Sequence, residues 1–422
     1  MNILVIGSGG REHAICRSFS KSKRVSRLFC ASGNAGIADV AECIAISPDD
    51  TAGLLKFALD IAIDLTFVGG EGPLAAGIVD EFEARGLRII GPRQDAAKLE
   101  ASKSFAKDFM ARYGVATARY ITAHSAPFAV DILESGDFGD RNAPVVVKAD
   151  GLAAGKGVVV AGNRSEAITA VNELASVVGA EAASTIVLEE CLTGPEISLL
   201  MFVDGEDFVL MPPTRDHKRI GEGDTGANTG GMGTITDDSL LTSEQMDVIT
   251  DTIIRPTLHG CTREGFSFEG ILFLGLMMTP DGPKLLEYNV RFGDPETQAI
   301  LIRLETDLTD ICEAMLDHRL DQVQVKWRPG SSACIVLASE GYPAKPRTGD
   351  VITGLDDAKA LPNIEIFHAG TSRDSGNVQT AGGRVLGVTA TGPQLSDALS
   401  AAYDAVGAIS WPGMQYRRDI GR

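Results

Sequence analysis

The chain has 422 residues, 44% of them hydrophobic, and carries 38 basic against 57 acidic side chains, a net charge of −19 and a pI near 4.8. That sign excludes a general affinity for nucleic acid or anionic membrane, so any phosphate must be held locally by helix amino ends, lysines and metal ions. At roughly 150 residues per domain the length predicts about three domains. Seven scattered cysteines without a CxxC point to a reducing compartment rather than a disulfide framework or zinc site. MNILVIGSGGREHA has no positive charge ahead of its short apolar run, and the longest apolar run, near residues 270–278, is about half of the ~18 residues a membrane helix needs. A soluble cytoplasmic protein is the expectation.

From residue 1 to about 95, strands alternate with helices. NILVIG (2–7) reads as a buried strand followed by a helix over 12–20; RLFCA (27–31) and IDLTFVG (63–69) are further strands, and a helix over 73–85 leads into LRIIGP (87–92). The alternation predicts a parallel, doubly wound sheet that binds ligands outside the carboxyl ends of its strands. The turns GSGG, GNAG and GGEGP fall at those ends. KLEASKSFAKDFMAR (98–112) reads as one amphipathic helix handing the chain to a second unit. A smaller unit over about 120–190 holds the strands VVVK, VVVA and TIVLEE with a helix near 165–176. Residues 195–325 hold hairpins, including FVDGEDFVLM with its Asp204-Gly205 turn. From about Pro329 the chain is strand-rich and closes with a helix near 395–406.

GSGGREHA (7–14) has the GxG of a dinucleotide fingerprint, but Glu12 replaces the third glycine and no acidic residue ends the second strand. Both departures argue against NAD. A single phosphate on the helix amino end remains chemically natural. VVVKADGLAAGKGVVV (145–160) fails as a Walker A loop in its spacing, in placing Gly157 where Ser or Thr should stand, and in the strand that follows. What remains is a hairpin flap carrying Lys156, with Lys148 at the end of the incoming strand; the pair suits triphosphate oxygens, and an ordinary surface hairpin is the alternative. In IVLEECLTGPEIS (186–198), Glu189, Glu190 and Glu196 flank a backbone able to read an adenine edge, or are solvated turn acids. DHKRIGEGDTGANTGGMG (216–233) packs six glycines among charged residues, too polar for a passive linker, and reads as a substrate-covering loop in which His217 is a contact rather than a base.

In KLLEYNVRFGDPETQ (284–298), strict alternation puts Leu285, Glu287 and Asn289 on one face and Leu286, Tyr288 and Val290 on the other. An anionic and a neutral oxygen ligand side by side suit a hard cation such as Mg²⁺. A strand end fraying into a polar loop is the alternative.

KADGLAAGKGVVV, LLEYNVRFGDPETQ, DHKR with TGANTGGMG, GSGGREHA and RRDIG together resemble the glycinamide ribonucleotide synthetase (phosphoribosylamine glycine ligase) family, ATP-grasp enzymes of purine biosynthesis. The likeness covers essentially the whole chain. It implies a multidomain α/β and α+β fold: an N-terminal doubly wound domain (1–100), a central ATP-grasp domain (101–120 and 192–326), a lid (121–191) and a small strand-rich C-terminal domain (327–422). ATP would lie between lid and centre, with Glu287 and Asn289 holding Mg²⁺ or, in its place, Mn²⁺. Lys103, Lys148, Gly155, Lys156, Gly157, Glu189 and Glu190 would contact the nucleotide, Glu196 its ribose. Gly9, Gly10, Arg11, Glu71 and Pro73 would hold the sugar phosphate, and Asp216, His217, Lys218, Thr229, Gly230, Gly231 and Met232 would cover the substrates. The family's VGPEAPL reads VGGEGPL here (68–74), a looser loop that bears on placing the sugar phosphate.

The expected reaction joins glycine to 5-phosphoribosylamine through glycyl phosphate. Arg291 is expected on the glycine carboxylate or acyl phosphate, Asp294 on the amino group or metal, and Lys156 on the transferring phosphate. A monomer or weak dimer is expected, with no nucleic-acid or membrane partner. The rivals are another ATP-grasp ligase or carboxylase, an NAD-dependent oxidoreductase, and a regulatory nucleotide-binding module.

Overall fold

The computed structural model describes residues 1–151 and 157–422. Its N-terminal sheet is all parallel, in the spatial order Glu42–Ile44, Arg27–Ser32, Asn2–Gly7, Leu65–Val68, Ile89–Ile90. Apolar side chains on both faces of Asn2–Gly7 enter separate clusters, Leu4 and Ile6 in one, Ile3 and Val5 in the other. Such two-sided burial is what a doubly wound sheet demands. The chain turns after Gly7, Ser32 and Val68, so the three glycine-rich turns crowd the carboxyl edge, as the alternation predicts.

Two helices differ from the sequence reading. The segment expected as one helix over 73–85 is two, Glu71–Ala75 and Ile78–Glu83, because Gly77 adopts φ +85°, a left-handed conformation that ends one helix and starts the next. The segment 98–112 is also broken. Ser102 leaves the helical region (φ −133°, ψ 115°) and its hydroxyl caps Lys103–Tyr113 by accepting the Phe105 N–H at 3.1 Å. Lys103 and Lys107 lie on the first and second turns of the helix this break begins.

The lid is a four-stranded antiparallel sheet, Tyr120–Ala123, Ile186–Glu190, Val145–Ala149, Val158–Ala161, whose apolar side chains share a core with Ala126–Ser135 and Arg164–Val178. The largest sheet runs Gly282–Asn289, Glu269–Thr279, Glu196–Asp204, Thr214–Asp216, Gly233–Thr236, Ser331–Ala338, Arg384–Gly392, Ile364–His368. The strand-rich C-terminal region therefore continues the central sheet through the pairing of Gly233–Thr236 with Ser331–Ala338. Phe208–Leu210 pairs back on Glu196–Asp204, the hairpin expected from Asp204-Gly205. Among the described residues no helix is long and apolar enough to cross a membrane.

Candidate active site

The strand Gly282–Asn289 corrects the simple alternation. Gly275 pairs with Glu287 but Leu276 with Leu285, so Leu286 is an extra residue, a bulge. Side-chain parity switches there. Leu285 joins Tyr288 and Val290 in the core instead of sharing a face with Glu287. Glu287 and Asn289 do lie together on the other face, and the Leu286 carbonyl is free to accept Lys148 Nζ at 3.3 Å.

Among the described residues Glu287 is surrounded by charge without an ion pair of its own. Burial alone would raise its pKa, yet Lys218, Lys148, Lys103 and Arg291 outweigh that and hold it below the ordinary carboxylate value. The ion pairs of three of these cations go elsewhere: Lys148 to Glu189 (2.8 Å), Lys218 to Glu196 (3.0 Å), Arg291 to Glu71 (3.2 Å) and Glu100 (2.7 Å). Among the described residues Lys103 Nζ meets a backbone carbonyl, that of Gly151, at 3.4 Å. An anionic carboxylate with lone pairs to spare, next to a neutral amide oxygen, is a donor set for a hard cation. No group of three or more His, Cys, Asp or Glu side chains among the described residues forms a self-contained metal centre. A divalent ion here would draw its remaining ligands from a bound phosphate and water.

Arg291 ties the strand end to its surroundings. Besides Glu71 and Glu100 it donates to Asn289 Oδ1 at 3.0 Å and to the Phe292 carbonyl at 3.2 Å. Glu100 also accepts the Val290 N–H at 2.8 Å. Asp294 reaches back to the first glycine turn, where its Oδ2 accepts the Arg11 N–H at 3.3 Å. Arg11 Nη1 donates to the Phe292 carbonyl at 2.9 Å, and Gly9 N–H to Glu12 at 2.6 Å. Gly9, Gly10 and Arg11 thus open the helix Gly10–Ser20 directly against the FGDP turn, with Glu71 alongside and Pro73 buried behind it. Burial would raise the Asp294 pKa, but Arg384 and Arg11 hold it low.

The glycine loop closes another side. Met232 is fully buried, and its N–H donates to the His217 carbonyl at 2.8 Å. Both the N–H and the hydroxyl of Thr229 donate to the Lys218 carbonyl at 2.8 Å. Gly231 has φ +111°, and a Cβ there would strike Pro295 and Asp216. Asp216 is itself pushed well up, first by burial and then by Glu296, which begins the helix Glu296–Leu301 rather than lying in a loop. His217 is buried with both ring nitrogens engaged by backbone: Nδ1 lies 3.2 Å from the Gly233 carbonyl and Nε2 accepts the Gly421 N–H at 3.2 Å.

On the lid side, Lys148 and Glu189 are buried at the roots of their strands, while Glu190 accepts the Arg119 N–H at 2.9 Å and Glu196 sits across the Gly-Pro turn. The Gly157 carbonyl pairs with the Ala149 N–H at 2.8 Å. Gly155 and Lys156 lie outside the described residues.

Four residues escape the sequence reading. Lys107 shares Glu189 with Lys148, and its i, i+4 spacing from Lys103 was the available signal. Glu100 holds Arg291, Gln298 donates to Asp294 at 2.8 Å, and Arg384 donates to the carbonyls of Gly230 (2.6 Å) and Asp294 (2.5 Å). No local pattern marks these three.

Models described as phosphoribosylglycinamide synthetase match the chain in three parts: the N domain over residues 1–100, the ATP-grasp (A) domain over 101–297 and the C domain over 332–422. The chain belongs to the phosphoribosylglycinamide synthetase family. It is 47% identical over 426 residues to a phosphoribosylamine–glycine ligase of Vibrio parahaemolyticus, covering 100% of this chain and 98% of that one. The ligase of the same name from Brucella melitensis is 45% identical over 421 residues, covering 100% and 97%. The crystal structure of phosphoribosylamine–glycine ligase from Thermotoga maritima matches with a TM-score of 0.86 at 32% identity, covering 100% of both chains. A phosphoribosylglycinamide synthetase is an ATP-grasp ligase that uses ATP and a divalent metal, which removes the oxidoreductase and the purely regulatory readings.

Proposed function

We propose that this chain ligates glycine to 5-phosphoribosylamine, giving glycinamide ribonucleotide, ADP and phosphate. One observation carries the reading. Glu287 and Asn289 share a face at a strand end on which Lys148, Lys103, Lys218 and Arg291 converge from the lid, the capped helix, the glycine loop and the FGDP turn. Phosphoryl transfer asks for alignment and charge neutralisation more than for a protein nucleophile, and this is such a site.

A glycine carboxylate oxygen attacks the γ-phosphorus of ATP, the bond to the β-phosphate oxygen breaks, and ADP leaves with that electron pair. The amine of phosphoribosylamine then attacks the carbonyl carbon of glycyl phosphate; the acyl C–O bond breaks, phosphate departs and the amine gives up a proton. Lys148 and Lys103, together with Lys156, orient the triphosphate, while Glu190 and Glu196 border the adenosine end. Mg²⁺ held by Glu287 and Asn289, or Mn²⁺ in its place, supplies charge neutralisation at the phosphate oxygens when bound.

Arg291 meets the glycine carboxylate by exchanging Glu71, the more exposed of its two acidic partners, for the substrate. Asp294 offers a low-pKa carboxylate to an amino group. The helix amino end at Gly9, Gly10 and Arg11 receives the sugar phosphate, which takes the place of Asp294 on the Arg11 N–H and of Glu12 on the Gly9 N–H, and Glu71 and Pro73 shape its far side. The loop of Asp216, His217, Lys218 and Thr229–Met232 excludes water. The net charge of −19 supports an enzyme without a nucleic-acid or anionic-membrane partner, and the same reading has it work in the cytoplasm as a monomer or weak dimer. ADP release measured with glycine and freshly generated phosphoribosylamine, omitting each in turn, tests the assignment: release should require both, and release without glycine would overturn it.

A further inference from the structure

The reaction leaves the RRDIG motif, residues 417–421, without a part to play. Yet Arg417 is 1% exposed and among the largest fully buried side chains. Its Nη1 donates to the Arg219 carbonyl at 3.1 Å and to Asp224 Oδ1 at 2.7 Å, while Nε and Nη2 rest on the two oxygens of Asp419 at 2.8 and 2.7 Å. Asp419 also accepts the Gly223 N–H at 2.7 Å, and the Arg418 N–H donates to Glu222 at 3.2 Å. Every one of the hairpin partners lies between residues 219 and 224.

The two sides of this tie are unequal. Residues 417–421 are anchored in the C-terminal core: Ile420 is 1% exposed, and the Tyr403 hydroxyl, on the helix Leu395–Ala408, donates to the Arg417 carbonyl at 2.9 Å and accepts the Ile420 N–H at 3.2 Å. The hairpin of Arg219–Gly221 and Thr225–Asn228 pairs with none of the three larger sheets, and its second strand is exposed throughout. The motif is the support and the hairpin is what it holds. Arg219 directly follows Lys218, whose Nζ lies 3.0 Å from Glu196, the acid the reading sets at the adenosine end of the nucleotide.

We infer that Arg417 is a positioning residue for the nucleotide site, acting through the Arg219 carbonyl to set Lys218 beside Glu196. The inference rests on reading that site as the ATP site. A planar fork reaching two acceptors on the hairpin side and a carboxylate on its own side is a task for arginine, and lysine can do it only in part.

The test compares the full chain with Arg417→Met and Arg417→Lys by calorimetric binding of Mg·ADP, steady-state kinetics, and hydrogen exchange of the amides over 215–230. Arg417→Met should weaken Mg·ADP binding and raise the KM for ATP about tenfold while the KM for glycine holds, with faster exchange confined to that loop; Arg417→Lys should recover part of the loss. Faster exchange with unchanged Mg·ADP affinity and KM for ATP would overturn the proposal. Should Arg417→Met fail to fold, Asp224→Ala removes a carboxylate that is 68% exposed, and the same shift in nucleotide affinity, smaller in size, is expected; no shift would overturn it. A wild-type chain that bound Mg·ADP but released no ADP with both substrates would sink the ligase reading and leave the Arg417 effect on nucleotide affinity intact.

Discussion

Lys107 and Lys148 hold opposite oxygens of one carboxylate, Lys107 Nζ at 3.0 Å from Glu189 Oε2 and Lys148 Nζ at 2.8 Å from Oε1, with all three side chains less than a tenth exposed. The sandwich joins the lid strands to the helix Lys103–Tyr113. Removing the shared anion leaves two ammonium groups buried without their partner, which costs about 3–5 kcal/mol. Lys107, already lowered to about 8 by burial against the pull of Glu189, can shed its proton and so limit the loss to the lower part of that range. Glu189→Gln should therefore lower the unfolding free energy by about 3 kcal/mol. Glu190→Gln, next along the strand but partly solvated, should cost under about 1 kcal/mol. Urea unfolding of both variants checks the contrast, and equal losses would remove the sandwich from the account.

Glu287 is the single charged oxygen donor on its face of the strand end. Glu287→Gln keeps the shape and removes the charge, so ADP release should fall by about 10² to 10³. Mn²⁺ binding in the presence of ADP, read by electron paramagnetic resonance, should weaken in parallel. Near-wild-type turnover with weakened Mn²⁺ binding would place the ion off the reaction path.

These two residues show where the sequence speaks and where it stops. Unbroken apolar runs such as NILVIG announce two-sided burial, and Gly-rich turns after them mark the carboxyl edge of the sheet, because both signals are local. The pairing of Glu287 with Asn289 was legible from period-two alternation, but the place of Leu285 was not, since a bulge is a property of two strands and Gly275 and Leu276 belong to the partner. Ser102 carried a cap signal that an apolar count over 98–112 overrides. Arg384 and Asp294 are 90 residues apart, and Arg417 and Arg219 are 198 apart. Only the closing of one sheet across the central and C-terminal regions brings them together.

Arg384 stands at the start of the strand Arg384–Gly392 and its Nη1 joins the Gly230 carbonyl to that of Asp294, so one guanidinium sets the distance between the glycine loop and the FGDP turn. Hydrogen bonds from a charged donor are worth about 1.5–3 kcal/mol. Arg384→Met should lower kcat/KM by roughly ten- to a hundredfold, since 1.4 kcal/mol is about one decade. Affinity for Mg·ADP should hold, because Lys148 and Lys103 lie on other elements and Lys218 keeps its support through the Arg219 carbonyl. Calorimetric titration with Mg·ADP beside steady-state kinetics separates the two, and a variant that lost nucleotide affinity alone would contradict the assignment.

His13 and His368 make acid stability a second readout of how the N-terminal and C-terminal regions join. The His368 N–H donates to His13 Nδ1 at 2.8 Å, a bond that requires His13 to keep a lone pair there. Burial depresses both residues: His13 falls well below its ordinary value, with His368, Lys359 and Arg17 adding to the effect, and His368 falls to about 3 with Lys359 and Arg373 adding. Folded values below the unfolded 6.5 mean that below pH 6.5, and for His368 down towards 3, the unfolded chain binds protons the folded chain refuses. Stability is therefore full above the unfolded value and falls with pH through that window, by about 1.4 kcal/mol per pH unit for each histidine. His13→Gln cannot titrate yet offers an oxygen to the same N–H. Urea unfolding at about pH 7 and about pH 5 should give a shallower pH slope for this variant than for the wild type, by close to one proton's share. A slope left unchanged would mean that other groups, and not this imidazole, set the acid limit of the fold.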